Sequence, residues 1–567
     1  MKIMSKLNVL PYILLIVFSF VFFMACSDSE NDSPSTIEDE NVSPTVDISA
    51  NPITGTAPLS VTLDGSGSTD SDGTIVSYAW DFGDDTQGTG AQTSNTFISP
   101  GTYTVALTIT DNDGASDSDS ITVQVNKQDY TSEGWTEIVP SADTQIVYVS
   151  SSQGNDDNDG SSPENPVRSL SRGAELVRDG YPDHLLLRRG DVWTGEDLYI
   201  FKSGRNVDER MVISYYGETG GRPLVRIDRS FINHNGRARS NLAIIGISFI
   251  AYKMDPSDPG FDIAHGDHIA LRFVGGGDNI LIEDCRFQFA EIVVQNWDGN
   301  IYRNIQLRRS IVIDTWAPNT TTSHAFRPSG IYADGIDALL IEECVFDHNG
   351  WNETVPGAGA NMYNHNMYIQ YSNVGNTVVV RNNIVTRASS HGVHGRPGGL
   401  YEDNLFARNS IGLQMGYNNH PLPAGTFARA RNNVIIHGKR MDPDNFAWPR
   451  NTAVWGLALD DLGEGSVTVE GNIVANRDDS GSELGLFDFA GVTYIENIQH
   501  NWGGGIGDMD DSSWLDPNRD VASYHGTLGG VASLEAFLEV VRNRPLRTWS
   551  DEYSAHAVNE YIREGFL

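Results

Sequence analysis

Between residues 280 and 500 the chain repeats one pattern of apolar and polar positions. An apolar pair is followed by two or three polar residues and then another apolar pair. The copies read NILIEDCRF, NIQLRRSIV, ALLIEECVF, TVVVRNNIV, GLYEDNLFA, ARARNNVII, SVTVEGNIV and VTYIENIQH. Aligned, they bring Cys285, Ser310, Cys344, Asn383, Asn404, Asn433, Asn472 and Asn497 to one position, at spacings of 21 to 39 residues. The copies carry strand signals and no helical period. A repeat in this range means stacked units, here a basic coil of roughly 20–25 residues with loop insertions. Each coil buries its apolar side chains against its neighbours. The pattern predicts an all-β chain whose main body, about 145–530, is a right-handed parallel β-helix. A small polar residue at one inward turn predicts a coil-to-coil ladder of side-chain hydrogen bonds. The same register sets Cys285 and Cys344 two coils apart, roughly 9–10 Å, too far for a disulfide.

Upstream, alternation recurs in VDISA, LSVTLDG, IVSYAWDFGD, TYTVALTITD and SITVQV, broken by turn signals such as SDG and NDG. Five or more short strands at this spacing predict a β-sandwich over 44–126, with Trp80 and Phe82 in its core. Residues 127–144 read as a linker. ASLEAFLEVVRNR and SAHAVNEYIREGF read as two helices, the first N-capped by Ser533, and predict a C-terminal cap over 531–567.

Three segments resemble known families. Tyr78-Ala79-Trp80-Asp81-Phe82-Gly83-Asp84, continued by SPGTYTVALTITDNDGAS, resembles the PKD domain, an immunoglobulin-like sandwich; this implies a spacer or a weak binding module. VYVSSSQGNDDNDGSSPENPVRSLSRGAELV resembles the start of pectin-lyase-like β-helix carbohydrate enzymes; this implies an amphipathic capping helix at about 168–178, with Leu170, Ala174 and Val177 inward, covering the solenoid's open edge. Lys2, Lys6, the apolar run LNVLPYILLIVFSFVFFMA and Cys26 resemble a bacterial lipoprotein signal. That resemblance implies a signal peptide over 1–25, lipidation of Cys26, and export to the outer membrane or cell surface, or secretion. The following SDSENDSPSTIEDENVS is polar, acidic and without apolar periodicity, and reads as a disordered tether over 26–43. A transmembrane anchor is the alternative.

Charge narrows the partners. The 567 residues carry a net charge of -37, with 75 acidic against 38 basic side chains. Such a surface repels nucleic acid and anionic lipid, although acidity also suits a protein made for salty water. Three cysteines cannot build a disulfide framework or a Cys-type zinc site. A monomer touching the membrane only through its lipid is expected.

The chemistry is expected on a second strand of each coil: HIALRFV, EIVVQNW, GIYADGI, HNMYIQY, HGVHGRP and IGLQMGY. With the aliphatic residues inward, alternation leaves an outward set: Arg272, Gln295, Tyr332, Asp334, Asn366, Tyr368, Gln370, His394, Arg396 and Gln414. A generic solvated face would carry Lys, Glu, Ser and Thr. Planar polar and aromatic groups instead suit a sugar chain, so Arg272, Gln295, Tyr332, Asp334, Asn366, Gln370 and Gln414 are candidate substrate contacts. His265, His268, His348, His365, His391 and His420 border the strip. If the register holds, Tyr368 and His394 are neighbours at about 5 Å with Arg396 beside them. Removing a proton next to a uronate carboxylate needs a base, a cation on the carboxylate, and an acid for the leaving oxygen. Tyr368, His394 and Arg396, with His391 and His365, are the candidate catalytic set.

The chain's resemblance to β-helix polysaccharide lyases agrees with this set and implies β-elimination on an anionic polysaccharide. No metal is assigned; the family's usual calcium-binding acidic cluster is not evident at this strip, so Ca2+ stays open. Hydrolysis is the alternative and needs two carboxylates about 5–9.5 Å apart. Asp334, Asp337, Asp267 and Glu291 are the candidates. The Gly-His-Gly and Arg-Ile-Lys motifs of polygalacturonase-like hydrolases are not matched, since Ser-His-Gly stands at 390–392 and no Arg-Ile-Lys occurs. A non-catalytic carbohydrate-binding or adhesin protein is the third reading.

Overall fold

A computed structural model describes residues 41–566, except 58, 85, 98–100, 127–130, 132, 199–201, 234–236, 266–267, 297–298, 319–326, 417–419, 442–453, 477–490 and 503–515. The signal peptide, Cys26 and most of the tether lie outside the described residues, as does Asp267. Among the described residues no helix is long and apolar enough to cross a membrane.

The N-terminal unit is a sandwich of two sheets. One joins Ser49–Asn51, Leu59–Asp64 and Gln92–Phe97; the other joins Thr54–Thr56, Ser116–Asn126, Gly101–Asp111, Ile75–Asp81 and Gln87–Thr89. Alternate residues face inward, so Val61, Leu63, Trp80, Phe82, Phe97, Val105, Leu107 and Ile109 form the core. The Trp80 indole also needs a polar partner, and its N–H donates to Gly90 O at 2.8 Å.

The rest is the right-handed parallel β-helix, built from sheets of twelve, eleven and eight strands. From Arg286–Gln288 onward each described coil turns two corners around a three-residue strand of the eleven-stranded sheet. The residue just before each ladder position has left-handed backbone: Asp284, Arg309, Glu343, Asn382, Asp403, Asn432, Gly471 and Glu496 have φ of 45–62°. Five of the eight are the Asn, Asp or Gly that favour this conformation locally. At Arg309, Glu343 and Glu496 the ladder overrides the contrary preference. Cys344 N donates to Asn383 Oδ1 at 2.9 Å, and the chain of bonds runs on through Asn404, Asn433 and Asn472 to Asn497. Cys285 N donates to Ser310 Oγ at 3.1 Å in the same column. Both cysteines are buried free thiols, and burial pushes the Cys285 thiol up to about 12.

A second ladder, of charge, stands outside the twelve-stranded sheet. Register partners Glu283, Arg308, Glu342, Arg381, Glu402, Arg431 and Glu470 alternate in sign from coil to coil. Arg308 is 2% exposed and ion-paired to both Glu283 and Glu342.

Two expectations need correction. The C-terminal helices Leu534–Arg542 and Ala555–Arg563 do not cap the solenoid's end; they lie along its flank. The reason is in the short strands. Their middle residues (Phe287, Val312, Phe346, Val385, Phe406, Ile435) point into the solenoid core. Their outer residues, among them Ile311, Ile313, Leu405, Ala407, Val434 and Ile436, are apolar too. A sheet apolar on both faces needs a cover, and Phe537, Leu538, Val541, Val558 and Ile562 supply it. Nor is the segment before residue 145 a free linker. Trp135 is 3% exposed beneath the guanidinium groups of Arg309 and Arg547, and Thr136 N and Oγ1 donate to the buried Glu283.

At the N-terminal end the helix Leu170–Leu176 is capped by Ser169, whose side chain accepts from Arg172 N, and Leu170, Ala174 and Val177 are buried. The eight-stranded sheet carries the candidate site on its outer face.

Candidate active site

Five strands of that sheet matter: Ile331–Ala333, Met367–Ile369, His391–Gly395, Ile411–Gly416 and Trp455–Asp460, parallel and in that order. Their aliphatic residues, such as Met367, Ile369, Val393, Leu413 and Met415, are fully buried in the core. Outward positions then fall into two columns. Register partners Tyr332, Tyr368, His394 and Gln414 make one; Gln370 and Arg396 follow Ile369 and Gly395 in the other, with Asp334 and Asp460 at its two ends.

Around Tyr368 the groups converge. Its ring lies 5.4 Å from the His394 ring at 20°, 4.6 Å from the His365 ring and 5.5 Å from the Tyr332 ring. The Arg396 guanidinium sits 4.7 Å from the Tyr368 ring centroid, its Nε donates to His394 Nε2 at 3.4 Å, and its terminal nitrogen donates to Gln370 Oε1 at 2.8 Å. The His391 and His394 rings stack at 4.5 Å and 9°. Regular alternation sends residues three apart to opposite faces, so the pleat must break between them. Gly392 lies at the break: a Cβ there would meet Gly412 O at 2.6 Å.

His391 makes a directional contact. Its Nε2 lies 2.6 Å from Gln414 Oε1, which can only accept, so the ring proton is on Nε2 and Nδ1 keeps its lone pair. Ser390 Oγ donates to that Nδ1 at 2.5 Å, and His365 Nδ1 lies 3.1 Å from it. Burial, and then the nearby histidines and Arg396, which would repel a proton added to either ring, hold His365 and His394 well below the ordinary histidine range. Burial also lowers His391 to about 4. All three are neutral at pH 7. One nitrogen from each ring lies within 4.8 Å of one from each of the others, a set that could hold a metal ion. Burial, then the Asp334 charge, pushes the Tyr332 phenol up to about 12.

Some sequence candidates stand elsewhere. Asn366 is not on the strip. It is fully buried, its carboxamide bonded to Asn349 and to Thr386 O, because its strand begins only at Met367. His348 belongs to the eleven-stranded side, between Asp314 and Glu353 at 2.9 Å each. His265 contacts Asp228 O, and His420 stacks on exposed Tyr371 at 3.8 Å. Arg272 and Gln295 face outward on earlier coils; Arg272 is separated from Tyr332 by the coil of Val293. The hydrolytic carboxylates are dispersed: Asp334 accepts from Ser372, Asp337 from Thr377 on another sheet, and Glu291 faces His268 at 3.3 Å. Sequence reasoning missed Ser390 as a partner of His391, and Asp460, which accepts from Gln414 at 3.5 Å. Aligning WGLALD as the next coil would have found Asp460.

Comparison with known proteins separates the two halves. Residues 41–126 match the PKD domain family, and this segment is a PKD domain. The pre-pro-metalloprotease PrtV of Vibrio cholerae is 46% identical over 59 residues, 10% of this chain and 6% of that protein. Collagenase ColQ1 of Bacillus cereus is 38% identical over 86 residues, 15% of this chain and 9% of that protein. The chain thus spans under a tenth of the length of these relatives. Among solved structures, the PKD1 domain of Vibrio cholerae PrtV is 36% identical, covering 15% of this chain and all of that one, with TM-score 0.14. A family 28 exopolygalacturonase of Yersinia enterocolitica covers 82% of this chain and all of its own, at 10% identity and TM-score 0.26.

Proposed function

We propose that this is an exported enzyme that degrades a uronate-containing polysaccharide by β-elimination. One observation carries the reading: Tyr368 and His394 are register partners on adjacent coils, and Arg396 contacts both. In the proposed step Arg396 holds the uronate carboxylate, which acidifies the proton on the adjacent carbon. Tyr368 or His394 takes that proton. The electron pair left behind forms a carbon–carbon double bond as the glycosidic carbon–oxygen bond breaks. The leaving oxygen takes the phenolic proton of Tyr368 when His394 is the base, or the proton just abstracted when Tyr368, as phenolate, is the base. A neutral, buried imidazole is already in the form a base needs. Tyr332, Gln370 and Gln414 line the same strip and would position the sugar, with Asp334 and the more distant Arg272 and Gln295 along the chain. The PKD domain is read as a spacer, and attachment is through a lipid on Cys26.

Hydrolysis is the second reading, favoured only by the acidic ends of the column, Asp334 and Asp460. They stand four coils apart, about 19 Å by strand spacing, well beyond the span two catalytic carboxylates need. The purified chain should be incubated with a panel of uronate polysaccharides and the products examined by mass spectrometry and ultraviolet absorbance. Unsaturated non-reducing ends are expected. Saturated products carrying an added water would replace elimination with hydrolysis, and binding without products would favour the carbohydrate-binding reading.

A further inference from the structure

We propose that His365, His391 and His394 bind a divalent transition-metal ion of the zinc class, leaving one coordination position for water or a substrate oxygen. The site rests on the histidine geometry alone and not on the lyase reading.

Spacing is the first argument. Two nitrogens on one tetrahedral zinc at 2.0–2.1 Å are about 3.3 Å apart. His365 Nδ1 and His391 Nδ1 are 3.1 Å apart, and across the three rings one nitrogen from each lies within 4.8 Å of one from each of the others. Small ring rotations would close the set. Orientation is the second. A metal-binding histidine usually donates its other ring N–H to an oxygen, which fixes the tautomer and the ring plane. His391 has the Nε2–H on Gln414 Oε1 at 2.6 Å already, and the Ser390 hydroxyl, 2.5 Å from Nδ1, would turn away to free that lone pair for the ion.

Rigidity is the third. His391 and His394 sit on one strand hydrogen-bonded to both neighbours, and all three residues are no more than 6% exposed. Little ordering entropy therefore opposes binding. The donor set decides the ion. Imidazole nitrogens suit zinc, copper, iron and nickel, whereas Ca2+ and Mg2+ take oxygens. Ca2+ is thus the wrong ion for this cluster.

A bound ion would set a second positive charge beside Arg396, and an anionic sugar would meet both. His394 would then serve as a ligand, and proton abstraction would pass to Tyr368.

The full chain, stripped with a chelator, should be dialysed against Zn2+ and against Co2+. One Zn2+ per chain is expected by elemental analysis, and the Co2+ form should show the absorption of a tetrahedral nitrogen site. His365→Ala and His391→Ala, checked for an unchanged circular dichroism spectrum, should lose at least tenfold in affinity, while His420→Ala should bind as the unaltered chain does. Should either variant misfold, His391→Gln supplies the same reading with less change in volume. No Zn2+ retained above the Ca2+ control, or equal retention by the folded His variants, would overturn the proposal. Neither readout involves turnover, so a chain that binds Zn2+ but makes no unsaturated product would sink the lyase reading alone.

Discussion

Asn404 Oδ1 accepts two hydrogen bonds from Asn383 on the preceding coil, from its backbone N at 3.0 Å and its Nδ2 at 2.9 Å. Asn404 in turn donates from N and Nδ2 to Asn433 Oδ1 at 3.1 and 3.0 Å. Asn404→Ala removes the acceptor beneath Asn383 and leaves buried donors and the Val380 carbonyl short of partners. Each orphaned buried group costs about 1–3 kcal/mol. The substitution should therefore destabilise the solenoid by more than 2 kcal/mol, roughly twice the least of those costs. Urea unfolding of the full chain checks this, and Asn404→Ser, which keeps a hydroxyl as Ser310 does, should recover part of the loss.

Arg308 offers a parallel test on the outer face. It stands between two buried carboxylates, Glu283 and Glu342. Removing one partner of a buried pair typically costs about 3–5 kcal/mol, because a charge is left unpaired. Arg308→Leu should cost that much, and Arg308→Leu with Glu283→Leu and Glu342→Leu should recover part of it, short of the whole because Thr136 N loses Glu283 and Arg381 loses Glu342. If the triple variant is as unstable as the single one, the carboxylates left by Arg308→Leu are not the source of the loss.

The two ladders show what the repeat made legible. The asparagine column is visible in the sequence because each coil must fill the same inward turn with a residue of one size and polarity. The charge column went unread, because Glu and Arg near a turn look like ordinary surface residues until the strands are stacked. The flank cover was hidden in the same way: IVI, LFA and VII read alike whether one face or both are buried. At the site, strict alternation found Tyr332, Tyr368, His394, Gln414, Gln370 and Arg396. It failed where the strand itself fails. His391 joins His394 across Gly392, where the pleat breaks, and Asn366 turns inward just before its strand begins.

His348 predicts a dependence of stability on pH. Burial disfavours its charged form, but hydrogen bonds to Asp314 and Glu353 outweigh burial and raise it from the ordinary 6.5 to about 9. A raised folded-state value means that the stabilisation is fully present below about pH 6.5 and is lost as pH climbs through 9. Glu353 is 60% exposed, so screening reduces the effect to on the order of 1–3 kcal/mol. Asp314 also holds Arg542 of the flank helix at 2.6 Å, so loosening should start there. Unfolding free energy measured from pH 6 to 10 should fall across that window, and the fall should shrink in His348→Asn.

Cys26→Ser should release the protein from the membrane fraction of a producing cell. The apolar run ending in Met24-Ala25 before Cys26 is the basis. A variant that stays membrane-bound with residues 1–25 still attached would identify the run as a spanning anchor.

Arg396 separates elimination from simple binding. Its guanidinium reaches Gln370 and His394 at once while lying over Tyr368. That fork can meet a carboxylate with two bonds, whereas lysine offers a point charge. Arg396→Lys should therefore lower kcat/KM on a uronate polysaccharide by more than tenfold, about 1.4 kcal/mol in the barrier. Tyr368→Phe keeps the ring but removes the phenolic proton, and loss of a base or acid typically costs about 10²–10⁴-fold in rate. In that variant kcat should fall while KM stays near its original value. Asp334→Asn and Asp337→Asn are the controls and should change kcat by less than about threefold, under 1 kcal/mol. If the aspartate variants are inactive while Tyr368→Phe and His394→Ala turn over normally, the reacting groups are carboxylates and the Tyr–His–Arg cluster does no more than hold sugar.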